Sequence, residues 1–294
     1  MTPRAAVLAV ALGFLGTRGA AAQVVYEGAF SMTTGRYFFT ERTTGWSVSS
    51  GLAVTTGPVT ARISWPVWLQ NTTLVSTTGV GGVPTGGPSA AGAVRDSGQA
   101  RRRQGGQGQG AGAAPSFQVA GTAAAGRVEA PAEAVTGYEF GAADPFIQVA
   151  ARIVRADRVS VSISGAIKPP VVDTARFGTG AWDYGLGASG SITLGRSGFL
   201  GLDAGYWSLG DIAGLPLNAV ATGGVSVGYL AGNTAVAASL TAATSAIDGF
   251  PGPAAVSLLV SRLGRHAAGF SIGAGLTEAS PDLSAGISWR VRLF

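Results

Sequence analysis

Few side chains in this sequence could do chemistry. Its 294 residues include one histidine (His266), one lysine (Lys168), no cysteine, 19 arginines and 15 carboxylates. Without cysteine there is no thiol nucleophile, no disulfide framework, no Cys-ligated zinc and no iron–sulfur cluster. One histidine cannot form a His-rich metal centre, and as a general base it would need a nucleophile and an orienting group beside it. Asp183 and Asp203 are the carboxylates that could act as a pair, but no second catalytic motif accompanies them. The 47 glycines contain neither a lysine-bearing phosphate loop nor a dinucleotide fingerprint set between a strand and a helix. Neither an enzyme nor a cofactor is expected. What remains is a set of charges, Arg62, Arg152, Lys168, Arg290 and Arg292 against Asp183 and Asp203, together with Trp68, Phe146, Gln148, Trp207 and Asn218. Such groups select, bind or brace according to the elements that carry them.

Those elements show a period of two. From Trp182 to Leu194 the even positions are Trp, Tyr, Leu, Ala, Gly, Ile and Leu, and the odd ones are Asp, Gly, Gly, Ser, Ser and Thr. Val59 to Gln70, Arg158 to Lys168, Leu217 to Leu230 and Ala267 to Thr277 alternate in the same way. Such alternation marks strands whose two faces meet different surroundings. A soluble sandwich uses strands of about 5–6 residues with a charged outer face. Here the runs are twice as long, and the polar face is Ser, Thr, Gly and Ala. Charged residues make up 12% of the chain, against roughly 25% in ordinary soluble domains. Transmembrane strands need about 9–11 residues, apolar outside and polar inside.

The breaks between strands are asymmetric. Short ones at 57–58, 156–157, 195–197, 232–233 and 264–265 alternate with long ones at 71–139, 169–181, 210–216, 245–253 and 278–282. Short periplasmic turns opposite long external loops are the arrangement of outer-membrane barrels. Strands are expected at 45–55, 59–70, 140–155, 158–168, 182–194, 198–209, 217–230, 234–244, 254–263, 267–277 and 283–294. Val24 to Met32 supplies the ascending partner that the strand at 45–55 requires. The fold expected is therefore all-β, a transmembrane antiparallel up-and-down barrel of twelve strands, with ten and fourteen as the neighbouring even counts. Trp46, Trp65, Trp182, Tyr184 and Tyr206 near the long-loop ends, and Tyr229 and Trp289 near the other, read as two aromatic girdles.

Residues 1–22 read as a secretory signal peptide: Arg4, a 12-residue apolar core from Ala5 to Gly16, and Ala20-Ala21-Ala22 before the cleavage point. Residues 23–294 then form the barrel, located in the outer membrane. The partners expected are outer-membrane lipid and lipopolysaccharide, a small-molecule solute, and the barrel-assembly machinery through the C-terminal strand ending in Phe294. Phe294 falls outside that strand's apolar phase of Leu283, Ala285, Ile287, Trp289, Val291 and Leu293. The insertion 71–139, with Arg101-Arg102-Arg103 and the run GGQGQGAGAAP, lacks the apolar content to fold alone and reads as a largely disordered external loop. Its arginines either touch an anionic surface or are merely solvated. No aromatic and basic platform accompanies them, so nucleic acid is not expected as a partner.

The segment Phe177-Gly178-Thr179-Gly180-Ala181-Trp182-Asp183-Tyr184-Gly185-Leu186-Gly187 resembles the "G-T-G-x-x-D" motif of the outer-membrane family named for the MetA pathway of phenol degradation. Lys168-Pro169-Pro170 stands where that family carries its proline element, without the usual Pro-Thr-Gly. The resemblance covers mainly residues 140–294. It implies a channel or transporter-like barrel and names no substrate.

The strand phases turn Arg62, Arg152, Lys168, Asp183, Asp203, Arg290 and Arg292 into the lumen, because the opposite phase would bring Ile63, Ile153, Tyr184 and Leu202 inward. Charges in a barrel interior must be paired or hydrated. They form either a bracing network across a closed lumen or a selectivity lining. Trp68, Phe146 and Trp207, with Gln148 and Asn218, are expected near the external end as a vestibule for a small apolar or aromatic solute. A structural or adhesive surface barrel with a closed lumen is the rival reading.

Overall fold

A computed structural model of the chain describes residues 22–39, 41–71, 75–76, 85–86, 137–172, 177, 180–211 and 216–294. Its strands are β1 (Gln23–Gly35), β2 (Thr43–Thr56), β3 (Val59–Gln70), β4 (Val75–Ser76), β5 (Thr85–Gly86), β6 (Glu139–Ala142), β7 (Phe146–Arg155) and β8 (Val159–Lys168). They continue with β9 (Asp183–Leu194), β10 (Gly198–Ser208), β11 (Val220–Ala231), β12 (Thr234–Ala243), β13 (Ala254–Arg262), β14 (His266–Gly275) and β15 (Leu283–Arg292). Apart from the small β4–β5 ladder, they form one antiparallel sheet in which each long strand pairs with its sequence neighbours, and β1 closes the ring by pairing with both β2 and β15. β6 and β7 lie end to end on β3, so the closed barrel has twelve staves. The signal-peptide reading of 1–22 falls outside the described residues up to residue 21. The expectation of a disordered loop falls mostly on residues that are likewise outside them.

The tight hairpins lie at the predicted short breaks. Gly57 and Gly232 take φ of +57° and +59°, which the two-residue turns between β2 and β3 and between β11 and β12 require and which other residues adopt only with strain. Outward positions such as Leu186, Leu202, Val227, Leu258, Phe270 and Ile287 are exposed. A continuous apolar band of this kind, unfavourable in water, is what lipid tails cover around an outer-membrane barrel. No helix among the described residues is long and apolar enough to span a membrane; strands make the crossing. Trp182 and Tyr184 stack 6.1 Å apart on the long-loop rim.

Several strand limits differ from the sequence expectation. The run 140–155 is not one strand. Between the pairs Val67↔Ala142 and Ser64↔Phe146, three residue steps on β3 face four on the other chain segment, so one extra residue is accommodated at Ala143-Asp144-Pro145. Pro145 has no N–H to offer the ladder. Asp144, buried at the break, accepts the backbone N–H groups of Val171 and Val172 at 2.9 and 3.0 Å. A second bulge at Ile153 keeps Arg152 opposite Ser162 while moving Val154 opposite Val161. β1 runs on to Gly35. β11 starts only at Val220, because the Asn218 backbone N–H is already bonded to Ala246 in the neighbouring loop. β15 stops at Arg292, and the C-terminal segment is held by two bonds to Val24 O, from Leu293 N at 2.8 Å and from Phe294 N at 3.4 Å.

Candidate functional site: the lumen and its mouth

Most of the inward face is made of small residues. Ser189 and Ser191 of β9, Ser226 of β11, Ser239 of β12, Ser257 of β13 and Ser271 of β14 all project inward by register. Ser31 pairs with Ser47 at 2.6 Å, and Ser239 with Ser257 at 2.7 Å, so neighbouring hydroxyls satisfy one another along the wall. Small hydroxylated side chains on twelve staves do not fill the interior as the larger side chains of narrower barrels do. A cavity of about 480 Å³ opens toward the short-turn end, lined by Ser49, Ser64, Ser261 and Ser288 and by four charged residues.

Those residues are Glu27, Arg62 and Arg290, which form an ion-pair cluster, and Arg262 at the end of β13. β1 brings Glu27 opposite Arg290, and β3 brings Arg62 opposite Gln148. Glu27 Oε2 lies 2.6 Å from Arg62 Nε, and its Oε1 lies 3.0 Å from Arg290 Nε. Arg62 also donates to Gln148 Oε1 at 3.4 Å. Sequence reasoning selected Arg62, Arg290 and Gln148 but missed Glu27, whose inward phase was readable from Val24, Tyr26, Gly28 and Phe30 on the outward positions. Gln148 belongs to this charged cluster and not to the aromatic vestibule in which it was expected. Arg152 and Arg292 also point inward toward the short-turn end, opposite Ser162 and Val25, with no acidic partner among the described residues. Asp203 faces the lumen opposite Gly224 and is exposed.

The long-loop end is built differently. Lys168 and Asp183 face each other across β8 and β9, 2.5 Å apart and each 3% exposed. Asp183 also accepts the Gly210 N–H at 2.9 Å, tying the β10–β11 connection to the top of β9. Beside this pair, Trp207 packs with Ala166, Phe146 and Leu209, its ring 6.0 Å from that of Phe146. Gly185 makes room for it: a Cβ there would run into the Trp207 ring. Trp68 packs with Ala143 and Phe177. Tyr37, Phe38 and Phe39 of the β1–β2 loop are buried, with Phe38 edge-on to Phe250 at 5.0 Å; Ile247 and Ala279 of two other loops are buried as well. Of the expected vestibule residues, Phe146 and Trp207 are thus in contact and Trp68 sits in an adjoining cluster. Asn218 lies apart, in the loop layer, donating to Asp248 at 2.7 Å. Gly178 and Thr179 of the family-like motif lie outside the described residues.

The buried Tyr37 hydroxyl is pushed up to about 12, chiefly by burial, with the Asp282 charge adding to the effect and Thr33 offsetting part of it. Asp282 is held 3.0 Å from Arg42 on the same rim. In the sequence Tyr37-Phe38-Phe39 reads as an extension of the first strand, but β1 ends at Gly35 and these three residues belong to the loop that follows; Ile247 carries no periodic signal.

No protein-family model matches the chain, and no curated protein matches it at the level of sequence. Among solved structures it is similar to an outer membrane channel from Pseudomonas putida F1, with 11% identity, a TM-score of 0.58, and coverage of 95% of this chain and 99% of the other. It also aligns with the monoaromatic hydrocarbon channel CymD, at 10% identity, a TM-score of 0.42, and 94% and 90% coverage. A third alignment is with the toluene transporter TodX of P. putida, at 9% identity, a TM-score of 0.42, and 96% and 92% coverage. At 11% identity, the likeness to the P. putida F1 channel is one of fold: this chain is a closed antiparallel β-barrel.

Proposed function

We propose that the barrel is an outer-membrane channel that admits small solutes, apolar or aromatic in part, through the loop layer into a hydrated lumen. The observation that carries this reading is the lining: serines, glycines and a few half-exposed charges surround a cavity where a purely structural barrel of this size would place space-filling side chains. Phe146, partly buried against Trp207, supplies an aromatic surface beside the route, as expected of a site for planar apolar groups. Membership of the phenol-degradation barrel family fits the "G-T-G-x-x-D" resemblance around Asp183. The basic insertion is assigned to lipopolysaccharide contact, and the last strand to the barrel-assembly machinery. The protein acts by passage and binding and not by catalysis.

The second reading, a structural or adhesive barrel, draws on one observation: Trp68, Phe177, Phe39 and Ile247 are all buried at the mouth. Conductance of the purified full-length barrel in planar bilayers, with swelling of liposomes in benzyl alcohol and in sugars, separates the two. Current and solute entry are expected; a folded barrel that gives neither has a closed lumen, and the structural reading then holds.

A further inference from the structure

The Glu27 cluster is unbalanced. Two guanidinium groups share one carboxylate, so the group carries one excess positive charge inside the lumen. Arg62 is well occupied: its Nε and Nη2 reach Glu27 and its Nη1 reaches Gln148. Arg290 is not. It gives Glu27 only its Nε, and its two Nη groups have no protein acceptor among the described residues, while its side chain is 57% exposed to the cavity. A guanidinium edge with two parallel donors matches a carboxylate in bidentate fashion. Hydroxyls of Ser261 and Ser288 line the same cavity and offer neutral donors beside it. Arg152 and Arg292 add positive charge toward the same end, whereas Asp203 lies on the separate β9–β11 wall.

We propose that the free edge of Arg290, held by Glu27 and backed by Arg62, is a binding site for a small organic monoanion, a carboxylate with a compact apolar body. The inference rests on the channel reading. The single free guanidinium edge of Arg290 matches one carboxylate group. The cavity of about 480 Å³, walled in part by Leu259 and Leu263, has room for the apolar body. Glu27 makes the site reversible: its carboxylate competes for the same guanidinium groups, so a solute is held loosely enough to leave. Weak binding of this kind is what conduction requires.

The test uses the purified full-length barrel with benzoate as the anion, benzyl alcohol as the neutral isostere and inorganic phosphate, at a pH well above its second ionisation, as the dianion. Heat-modifiable migration on gels confirms that each variant is folded. In bilayers, benzoate is expected to permeate in preference to potassium. Arg290→Gln should lower that preference roughly three- to tenfold, the range for one charge-assisted contact partly screened by water. Glu27→Gln should raise it, because a competing carboxylate is removed. A conducting barrel whose benzoate preference is absent, or unchanged in both variants, overturns the site and leaves the channel intact. If no variant conducts, the channel reading fails, and calorimetric titration decides the site separately: benzoate binding that is lost in Arg290→Gln upholds it, and no binding overturns it. Phosphate that competes with benzoate at equal concentration overturns the assignment to an organic monoanion.

Discussion

At the long-loop end, Lys168 and Asp183 lie 2.5 Å apart and each is 3% exposed; at the short-turn end, Glu27, Arg62 and Arg290 make similar contacts at 20, 37 and 57% exposure. The residue types are alike and the surroundings are opposite. In the buried pair, each ion has given up its water and depends on the other, so removing one leaves an uncompensated charge. In the open cluster, water screens the ions and their attraction adds little to stability. The mouth therefore uses charge to hold β8, β9 and the β10–β11 connection in place. The lower lumen leaves its charges open to water.

That contrast is most exposed to test at the buried pair. Asp183→Ala strands Lys168 and also removes the acceptor of the Gly210 N–H. It should cost about 3–5 kcal/mol, the range for a broken buried ion pair, read as an earlier urea midpoint for loss of the heat-modifiable folded band. The paired replacement Lys168→Met with Asp183→Leu should recover most of that loss, since no lone charge remains. If Asp183→Ala is neutral, the mouth is wet and the contrast fails. Gly185→Ala comes next. Its methyl group drives Trp207 off the β9 wall, an overpacking cost of about 1–3 kcal/mol. The displaced ring should change single-channel conductance and tryptophan emission together; a change in neither would mean that the Trp207 layer is not on the route.

Arg62→Ala and Asp203→Ala should move stability within about 1 kcal/mol, as solvent-screened charges do, while shifting the reversal potential in a salt gradient in opposite directions. Melting that falls as far as in Asp183→Ala, without change in selectivity, would make the lower charges braces as well and erase the difference between the two ends.

How much of this could be read from the sequence follows from where periodicity acts. Period two fixed the faces of the strands, so Arg62, Lys168, Asp183, Asp203, Trp207 and Arg290 all have the inward phase assigned to them, and the alternating break lengths gave the twelve staves. What alternation cannot supply is height and partnership. Gln148 was placed with the aromatics although the register sets it against Arg62, because strand tilt and the bulge at 143–145 decide which inward residues share a level. Glu27 has a legible inward phase, but only the register of β1 with β15 and the closure onto β3 makes it the partner of Arg290 and Arg62. Asn218 was drawn into the lumen by extending a strand phase past the point where its backbone had bonded to the loop at Ala246. Ile247, buried in a later loop, lay beyond any periodic argument.

The smallest effect is confined to high pH and concerns the loop layer alone. Tyr37 adopts a φ of +50°, unusual for a residue with a side chain, and its burial supports the neutral phenol, pushed up to about 12 from the usual 10.0. Because the folded mouth disfavours the phenolate, the stability contributed by the neutral ring is complete below about pH 10 and is lost as the pH rises toward about 12. Ultraviolet titration of the folded barrel should therefore show a late ionisation step near about pH 12, and Tyr37→Phe should remove it. An early, solvent-like titration of every tyrosine would show that water reaches the β1–β2 loop, and the mouth would then resemble the lower lumen more closely than its packing implies. Conductance followed through the same pH range adds the functional half of the test: if the loop layer restricts entry, current should rise as Tyr37 ionises, and it should stay flat in Tyr37→Phe.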